Sequence, residues 1–266
     1  MHILCIGPKN TYAVKRLKEE AMMTDVRFSV IAARELSSRN VDATKYNLLY
    51  VRFAHPNFPA VIRLAQKFKS LGKPVVDKEW VDKNMSASKL SMYSRLESAG
   101  VPIPKTEELS PTGVVLPAIV KWIYGYGGKH VWLVRDKKEL DAILKLYPRK
   151  ELLSQEFISS SFEYKVVTVG YKALPFVIKY KIDPLRLTAS LIHFEILKGE
   201  KSQKYIRLAE KASKVMGRQL AKVDIMERKG KPLVLEVNRS PGLEPIEKAS
   251  KVNIFKAFIY FLARTK

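Results

Sequence analysis

Through the first eighty residues, short unbroken apolar runs alternate with stretches in which apolar residues recur every three or four positions. The runs are His2 to Ile6, Val26 to Ala32, Tyr46 to Val51 and Pro74 to Asp77; the spaced faces are Val14, Leu17 and Ala21, then Val61, Leu64, Ala65 and Phe68. A short apolar run reads as a buried strand and the spaced pattern as an amphipathic helix, so the segment predicts β-α-β-α-β, a small sheet with crossover helices. Ser86 is placed to cap a further helix that Gly100 ends. Val101-Pro102-Ile103-Pro104 after it is extended, because each proline drives its predecessor out of the α region. The pattern breaks near residues 80–85, which divides the chain into units over 1–83 and 84–266.

Beyond residue 113 the pattern predicts closely spaced strands at Ala118 to Trp122, Val131 to Val134, Leu152 to Phe157, Tyr164 to Val169, Phe176 to Tyr180 and Ser190 to Ile196, with one helix over Asp136 to Leu146. That spacing favours antiparallel pairing. A helix over Ser202 to Met216 puts Ile206, Ala209, Ser213 and Met216 on one face. Two runs follow, Lys222 to Glu227 and Pro232 to Val237, and the Lys229-Gly230 pair between them predicts a β-hairpin. In the last helix, over Asn253 to Ala263, Ile254, Phe258, Ile259 and Leu262 form a face suited to a core and not to a membrane.

Composition narrows the class. The 266 residues are 47% hydrophobic and 28% charged, which excludes disordered and collagen-like chains. The single cysteine, Cys5, excludes a disulfide framework and a multi-cysteine zinc site, points to a reducing compartment such as the cytoplasm, and lies in an apolar strand as a small hydrophobe would. No apolar run approaches the ~20 residues that span a bilayer, and no basic region precedes the first apolar run as in a signal peptide. No membrane partner is expected. His2, His55, His130 and His193 show no metal-ligand spacing. The net charge of +22 makes a positive field that draws anions. Nucleotides, nucleic acid and acidic proteins all qualify, and a lysine-rich solvated surface explains the charge as well.

The hairpin carries the chemistry. Asp224 lies on its first strand, while Glu236 and Asn238, two apart on the second, share a face. An all-oxygen set of that kind suits Mg²⁺, which takes a few carboxylates and fills its remaining positions with water and phosphate oxygens. Lys121 sits in the apolar run Ala118-Ile119-Val120-Lys121-Trp122, where an ammonium needs an anionic partner, and phosphate is the natural one. Gly125-Tyr126-Gly127-Gly128 directly after it lets backbone N–H groups approach an anion.

The run Leu235-Glu236-Val237-Asn238-Arg239-Ser240-Pro241-Gly242-Leu243-Glu244 closely resembles the metal-binding signature of ATP-grasp ligases, and among them the RimK-like glutamate ligases. The likeness continues through Pro245-Ile246-Glu247-Lys248 to the final helix and, more loosely, back to residue 84, about two-thirds of the chain. It implies an α/β (α+β) ATP-grasp fold: a small N-terminal α/β domain, then two α+β subdomains, about 113–158 and 159–266, that clamp ATP. It further implies that Asp224, Glu236 and Asn238 hold Mg²⁺, with Mn²⁺ as the alternative ion, across the ATP phosphates. Lys121 then corresponds to the strand lysine on phosphate and Lys89 to a second nucleotide-contacting lysine, under a loop carrying Gly125, Gly127 and Gly128. Gln155, Glu156, Phe157 and Ile158 resemble the linker around adenine, with main-chain groups of Glu156 and Phe157 bonding the base. Glu163 and Lys165 stand where relatives usually have Asp and Arg, keeping charge but changing reach. His130 stands where relatives usually have another glycine.

The segment from Lys179 to His193 departs most. Relatives tend to show paired arginines, an Arg-x-Asn and a Gly-Gly there; this chain has Lys179-Tyr180-Lys181 and Arg186-Leu187-Thr188 and no Gly-Gly. Lys179 and Arg186 are the expected catalytic cations, neutralising the transferring phosphate and the acyl phosphate. The implied activity is an ATP- and Mg²⁺-dependent carboxylate–amine ligation. The partners implied are an amino acid, glutamate first, and an acidic acceptor: a peptide tail, a carrier protein or a polyglutamylated cofactor. Many relatives are dimers or tetramers, so a homodimer or homotetramer is carried over as well. The competing reading is an inactive ATP-grasp-like basic module that holds RNA or an acidic protein. Trp122, Tyr124 and Tyr126 beside basic residues would serve it as stacking surfaces, although core packing explains them equally.

Overall fold

Strands β1 (His2–Ile6), β2 (Arg27–Ile31), β3 (Leu48–Val51) and β4 (Val75–Val76) pair in parallel in the order β2-β1-β3-β4. Helix α1 (Tyr12–Met22) links the first two, and α2 (Phe58–Ser70) links the last two. Between β2 and β3 the described residues make only 3₁₀ turns, at Ala33–Ser37 and Ala43–Lys45. The order is therefore β-α-β-β-α-β and not the expected β-α-β-α-β, since no helical period lies between Ala32 and Tyr46. The computed structural model describes residues 1–38, 40–82, 88–110, 114–125, 130–183 and 188–265.

Helix α3 (Lys89–Ser98) is capped by Ser88, whose hydroxyl accepts from the Leu90 N–H at 3.2 Å, and not by Ser86, which lies outside the described residues. Gly100, at φ +63°, ends it by supplying the left-handed conformation that an L side chain resists. A second sheet follows, β5 (Thr106–Glu108), β6 (Ala118–Trp122), β7 (Val131–Val134) and β8 (Leu152–Glu156), antiparallel in the order β5-β8-β6-β7. Helix α4 (Lys137–Leu144), capped by Asp136, closes its small core with Leu140 and Ile143 against Val120, Val134 and Leu152.

The third sheet holds β9 (Phe162–Val169), β11 (Val177–Asp183), β12 (Thr188–Leu197), β13 (Leu220–Arg228) and β14 (Lys231–Arg239) in the order β12-β11-β9-β13-β14, with the two-residue β10 (Lys172–Ala173) beside β9. The hairpin turn is as the sequence predicts: Lys229 and Gly230 both have positive φ, 51° and 76°, the geometry whose twist matches the flanking strands. One face of this sheet, with Tyr164, Val166, Val177, Val223 and Val237, packs on Tyr205, Leu208, Ala209 and Ala212 of α5 (Glu200–Met216). Ile206, expected on that buried face, is only partly covered.

The other face is divided. At one end Val167, Ile178, Tyr180 and Leu220 form a core with α1, the first sheet and α7 (Ile254–Arg264), which follows the short α6 (Glu244–Ser250). Ile254, Phe255, Phe258, Ile259 and Leu262 bury the apolar side of α7 there, so its expected core role holds. Among the described residues no helix is long and apolar enough to cross a membrane. Cys5 is fully buried, and burial pushes its thiol up to about 12, which leaves it without thiolate character. At the other end the same face is lined by charged side chains.

A buried polar knot fixes that end. Glu79, with a side chain 1% exposed, accepts from Arg218 at 3.0 Å, from Arg95 at 3.3 Å and from Arg239. Beside it the Asp77 carboxylate accepts from the Gln219 N–H at 2.6 Å, and the Gln219 side chain accepts from the Asp77 N–H at 2.8 Å. The edge of the first sheet is thereby tied to α3, to the start of β13 and to the end of β14.

Candidate active site

Asp224 stands directly opposite Glu236, and Lys222 opposite Asn238, so all four project from one face of the β13–β14 hairpin. A bulge one step on makes this compatible with the core. Ile225 pairs with Val234, which leaves Leu235 as an extra residue. Val234 and Val237 can then both face α5 while Glu236 and Asn238 face the opposite way. The Leu235 carbonyl, displaced from the ladder, accepts from the Tyr93 hydroxyl at 2.8 Å.

The Asn238 amide donates to Asp224 Oδ2 at 2.8 Å, and Lys222 Nζ lies 3.2 Å from the same oxygen. Lys165, on the neighbouring β9, reaches Asp224 Oδ1 at 3.5 Å and Glu163 at 2.9 Å. Lys89, at the start of α3, approaches Glu236 Oε1 at 2.9 Å. Burial alone would push the Glu236 carboxyl up; Lys89, with Lys121 and Lys222 behind it, outweighs burial and holds it below the usual carboxylate range. Glu163 is pushed the other way, by burial and then by the Asp224 charge, against the pull of Lys165. Burial would lower the Lys165 ammonium, but the Asp224 and Glu163 carboxylates overcome it and raise it.

Lys121 differs from its neighbours. Its ammonium donates to Gln155 Oε1 at 2.7 Å and to the Tyr93 hydroxyl at 3.1 Å, both neutral, and among the described residues no carboxylate pairs with it. The anionic partner expected for it is therefore not supplied by these residues. Gln155 is itself buried and anchored through Thr106 Oγ1 at 2.7 Å, so Lys121 is held on a fixed support. Four lysines, at 89, 121, 165 and 222, face three carboxylates, at 163, 224 and 236, which leaves positive charge for a polyanion. Two carboxylates and an amide supply the hard oxygen donors Mg²⁺ takes, and the lysines suit phosphates, so the residues fit ATP with its metal.

A model of the ATP-grasp domain matches residues 86–241, a span that contains every residue of this cluster. The chain belongs to the ATP-grasp family. A probable alpha-L-glutamate ligase of Legionella pneumophila (strain Corby) is 28% identical over 287 residues, covering 98% of this chain and 94% of that protein. The ATP-grasp fold superposes on the RimK domain protein of Sphaerobacter thermophilus with a TM-score of 0.72 at 15% identity, covering 99% of this chain and all of that one. It superposes on the ATP-grasp ligase PsnB, complexed with a phosphomimetic variant of its minimal precursor, Mg and ADP, with a TM-score of 0.74 at 17% identity, covering 99% and 98%. These structural likenesses show the ATP-grasp fold over nearly the whole chain.

Other residues expected of an ATP-grasp site fall in different places. Gly125 is buried with its N–H committed to the Trp122 carbonyl at 3.0 Å; Gly127, Gly128 and Tyr126 lie outside the described residues. His130 keeps a positive φ of 59°, the conformation a glycine would adopt freely, and its ring is held by the Tyr147 hydroxyl at 2.7 Å between Trp122 and Trp132. Ile158 is buried and Phe157 half-buried on the linker. The Glu156 N–H, however, donates to the Lys105 carbonyl at 2.8 Å and is not open to a base, while the Glu156 carboxylate takes Arg228 at 2.7 Å and ties the second sheet to the third.

Lys179 is not brought to the cluster. It pairs in register with Tyr164 and Glu195, so it projects from the α5 side of the sheet, whereas Lys165 and Asp224 project from the other. Its ammonium sits 3.1 Å from Glu195 and 4.2 Å from the centre of the Phe162 ring. Arg186 lies outside the described residues. Two residues of the cluster were not singled out in the sequence. Lys222 stands two before Asp224, and strand alternation could have found it; Tyr93 has no local signal, because its role depends on the bulge at Leu235. Lys121→Ala is expected to weaken Mg-ATP binding about tenfold, whereas Lys179→Ala leaves it within about twofold, as read by calorimetric titration. Equal losses would return Lys179 to the site.

Proposed function

We propose that this chain is an ATP- and Mg²⁺-dependent carboxylate–amine ligase that adds an amino acid, glutamate first, to a carboxylate of an acidic acceptor. The observation that carries the reading is Lys121: a supported ammonium that among the described residues bonds only neutral oxygens, close enough to Glu236 for its charge to act on that carboxylate. Bound Mg²⁺ would supply charge neutralisation across the phosphates, held by those three residues; Mn²⁺ could take the same oxygens. Lys121 and Lys89 would hold and orient the triphosphate, while Lys165 holds Asp224 and Glu163 in place. In the reaction, an acceptor carboxylate oxygen attacks the γ-phosphorus and ADP leaves. The amine nitrogen then attacks the acyl carbon, loses a proton and expels phosphate. The chain contributes position and charge, and no nucleophilic side chain is needed. The glutamate preference is supported by the name of the Legionella relative, and the acidic acceptor by the net charge of +22. The units 1–83 and 84–266 would serve as the base and the clamp.

The test is ADP release from Mg-ATP with glutamate and an acidic acceptor peptide, followed by mass spectrometry of the peptide. ADP should form only when both are present, and the peptide should gain one glutamyl residue. Tight Mg-ATP binding without ADP from any amino acid and acceptor in a broad panel would remove the ligase reading while leaving the nucleotide site standing.

A further inference from the structure

The face of the third sheet turned away from the cluster carries a second feature. Between α5 and the β11–β12 edge lies an open cavity of about 640 Å³, lined among others by Lys179, Glu195, Glu200, Lys201, Lys204 and Arg207. Of these cations, Lys179 is paired with Glu195 and Lys204 with Glu227. Lys201 and Arg207 are exposed and have no ion pair or hydrogen bond among the described residues. The basic side chains also continue beyond the cavity. Lys204, Arg207, Lys211 and Lys214 recur at helical spacing, opposite the buried face of Tyr205, Ala209, Ala212 and Met216, and so form one ridge along α5. The ridge starts at the cavity and runs down the outside of the molecule.

We infer that this ridge and cavity form a docking surface for an acidic polypeptide, holding the body of the acceptor while its reacting carboxylate enters the cleft round the β12 edge. The inference rests on the ligase reading for the purpose of the surface, though its binding test does not. Charge complementarity selects the partner class: exposed cations on a rigid helix, Lys201 and Arg207 among them without an ion pair among the described residues, attract Asp- and Glu-rich chain and speed its encounter. The details favour peptide over nucleic acid. Single-stranded nucleic acid is held by bases stacked on open rings, and here the rings are taken. Tyr164 and Tyr205 are buried, stack on each other at 4.1 Å and both donate to Glu227, while the Lys179 ammonium covers Phe162. Glu195 and Glu200 on the cavity wall can accept from N–H donors, which a peptide backbone offers and a phosphate chain does not. Because the surface is on the far face, acceptor and nucleotide can be bound together, and tethering would raise the local concentration of the reacting end.

The experiment is fluorescence anisotropy with a labelled oligoglutamate peptide at low ionic strength, where exposed charges act over the longest range. The triple variant Lys201→Glu, Arg207→Glu, Lys214→Glu should lose at least about tenfold in peptide affinity and flatten its salt dependence. The control Lys15→Glu, Arg63→Glu, Lys67→Glu changes the net charge equally on exposed helix positions elsewhere and should lose no more than about twofold. Mg-ATP titration into both variants should match the wild type, so a failed nucleotide site is recognised separately from a failed docking surface. If reversal prevents folding, the neutral set Lys201→Gln, Arg207→Gln, Lys214→Gln carries the same test. Equal losses in the ridge and control variants would overturn the proposal. So would an oligouridylate of the same charge that binds more tightly than the peptide and depends on the same residues.

Discussion

Calorimetric titration of Mg-ATP into the Glu236→Ala, Asn238→Ala double variant is expected to show affinity lost by about 100-fold, some 2.8 kcal/mol at 1.4 kcal/mol per decade, from a micromolar wild type. The two side chains would supply two of the three proposed oxygen ligands, and Asn238 also fixes the Asp224 carboxylate through its amide at 2.8 Å. Their removal has a second consequence that separates the metal from the phosphates. Lys89 loses the carboxylate 2.9 Å away and becomes free to meet phosphate. ATP without Mg²⁺ should therefore bind the variant no worse than it binds the wild type, and the gain that Mg²⁺ brings should disappear. A folded variant that keeps both its Mg-ATP affinity and its Mg²⁺ dependence would place the metal elsewhere.

Glu79→Ala is expected to cost about 3–5 kcal/mol of stability, read from urea unfolding, because it leaves buried guanidinium groups without their common anion. Arg218 and Arg239 both lean on this carboxylate, and Arg239 also lies over the Trp80 ring at 4.2 Å. A loss below about 1 kcal/mol would show that the arginines find other partners. The same melts followed against pH carry two opposite signs. Burial would raise Glu79, but Arg218 and Arg239 hold it below the usual range; its contribution is full above the ordinary carboxylate pKa and is lost as pH falls through the lower folded value. Asp77 is pushed up to about 6, by burial first and against the pull of Arg239. Its contribution is full below the ordinary carboxylate pKa and is lost as pH rises through about 6. In the Glu79→Ala variant only the second slope should remain at this junction. The effect reaches the candidate site, since Arg239 ends the strand that carries Glu236 and Asn238.

What could be read directly from the chain is what local chemistry decides. The β13–β14 hairpin was legible because Lys229-Gly230 demands a left-handed turn and the flanking residues alternate with period two. Glu236 and Asn238 share a face by the same arithmetic, but only the bulge at Leu235 brings Asp224 to that face, since strict pairing from the turn would set it opposite Leu235. The strands β6 and β7 also begin and end where their apolar runs do. The core role of α7 follows from the width of its apolar face. Even locally, a choice between near-equivalent signals was beyond reach: Ser88 caps α3 although Ser86, two positions earlier, has the same side chain.

Tertiary packing decided the remainder. The face on which a strand residue emerges depends on pairing register, and one step reverses it. That is why Lys179, read as a catalytic cation, stands on the α5 side while its sequence neighbour Tyr180 faces the core shared with α1 and α7. The bulge at Leu235 arises because Val234 and Val237 must both be buried against α5, a demand invisible in a strict alternation. The partners of Glu79 come from residues 95, 218 and 239, and those of Lys121 from residues 93 and 155. No spacing rule connects positions so far apart. The amino-acid sequence by itself determined most of the elements, the hairpin turn and the common face of Glu236 and Asn238, because those depend on neighbours within a few residues. Only the folded chain decided which charges meet, because opposite sides of a sheet and distant strands are joined by packing alone.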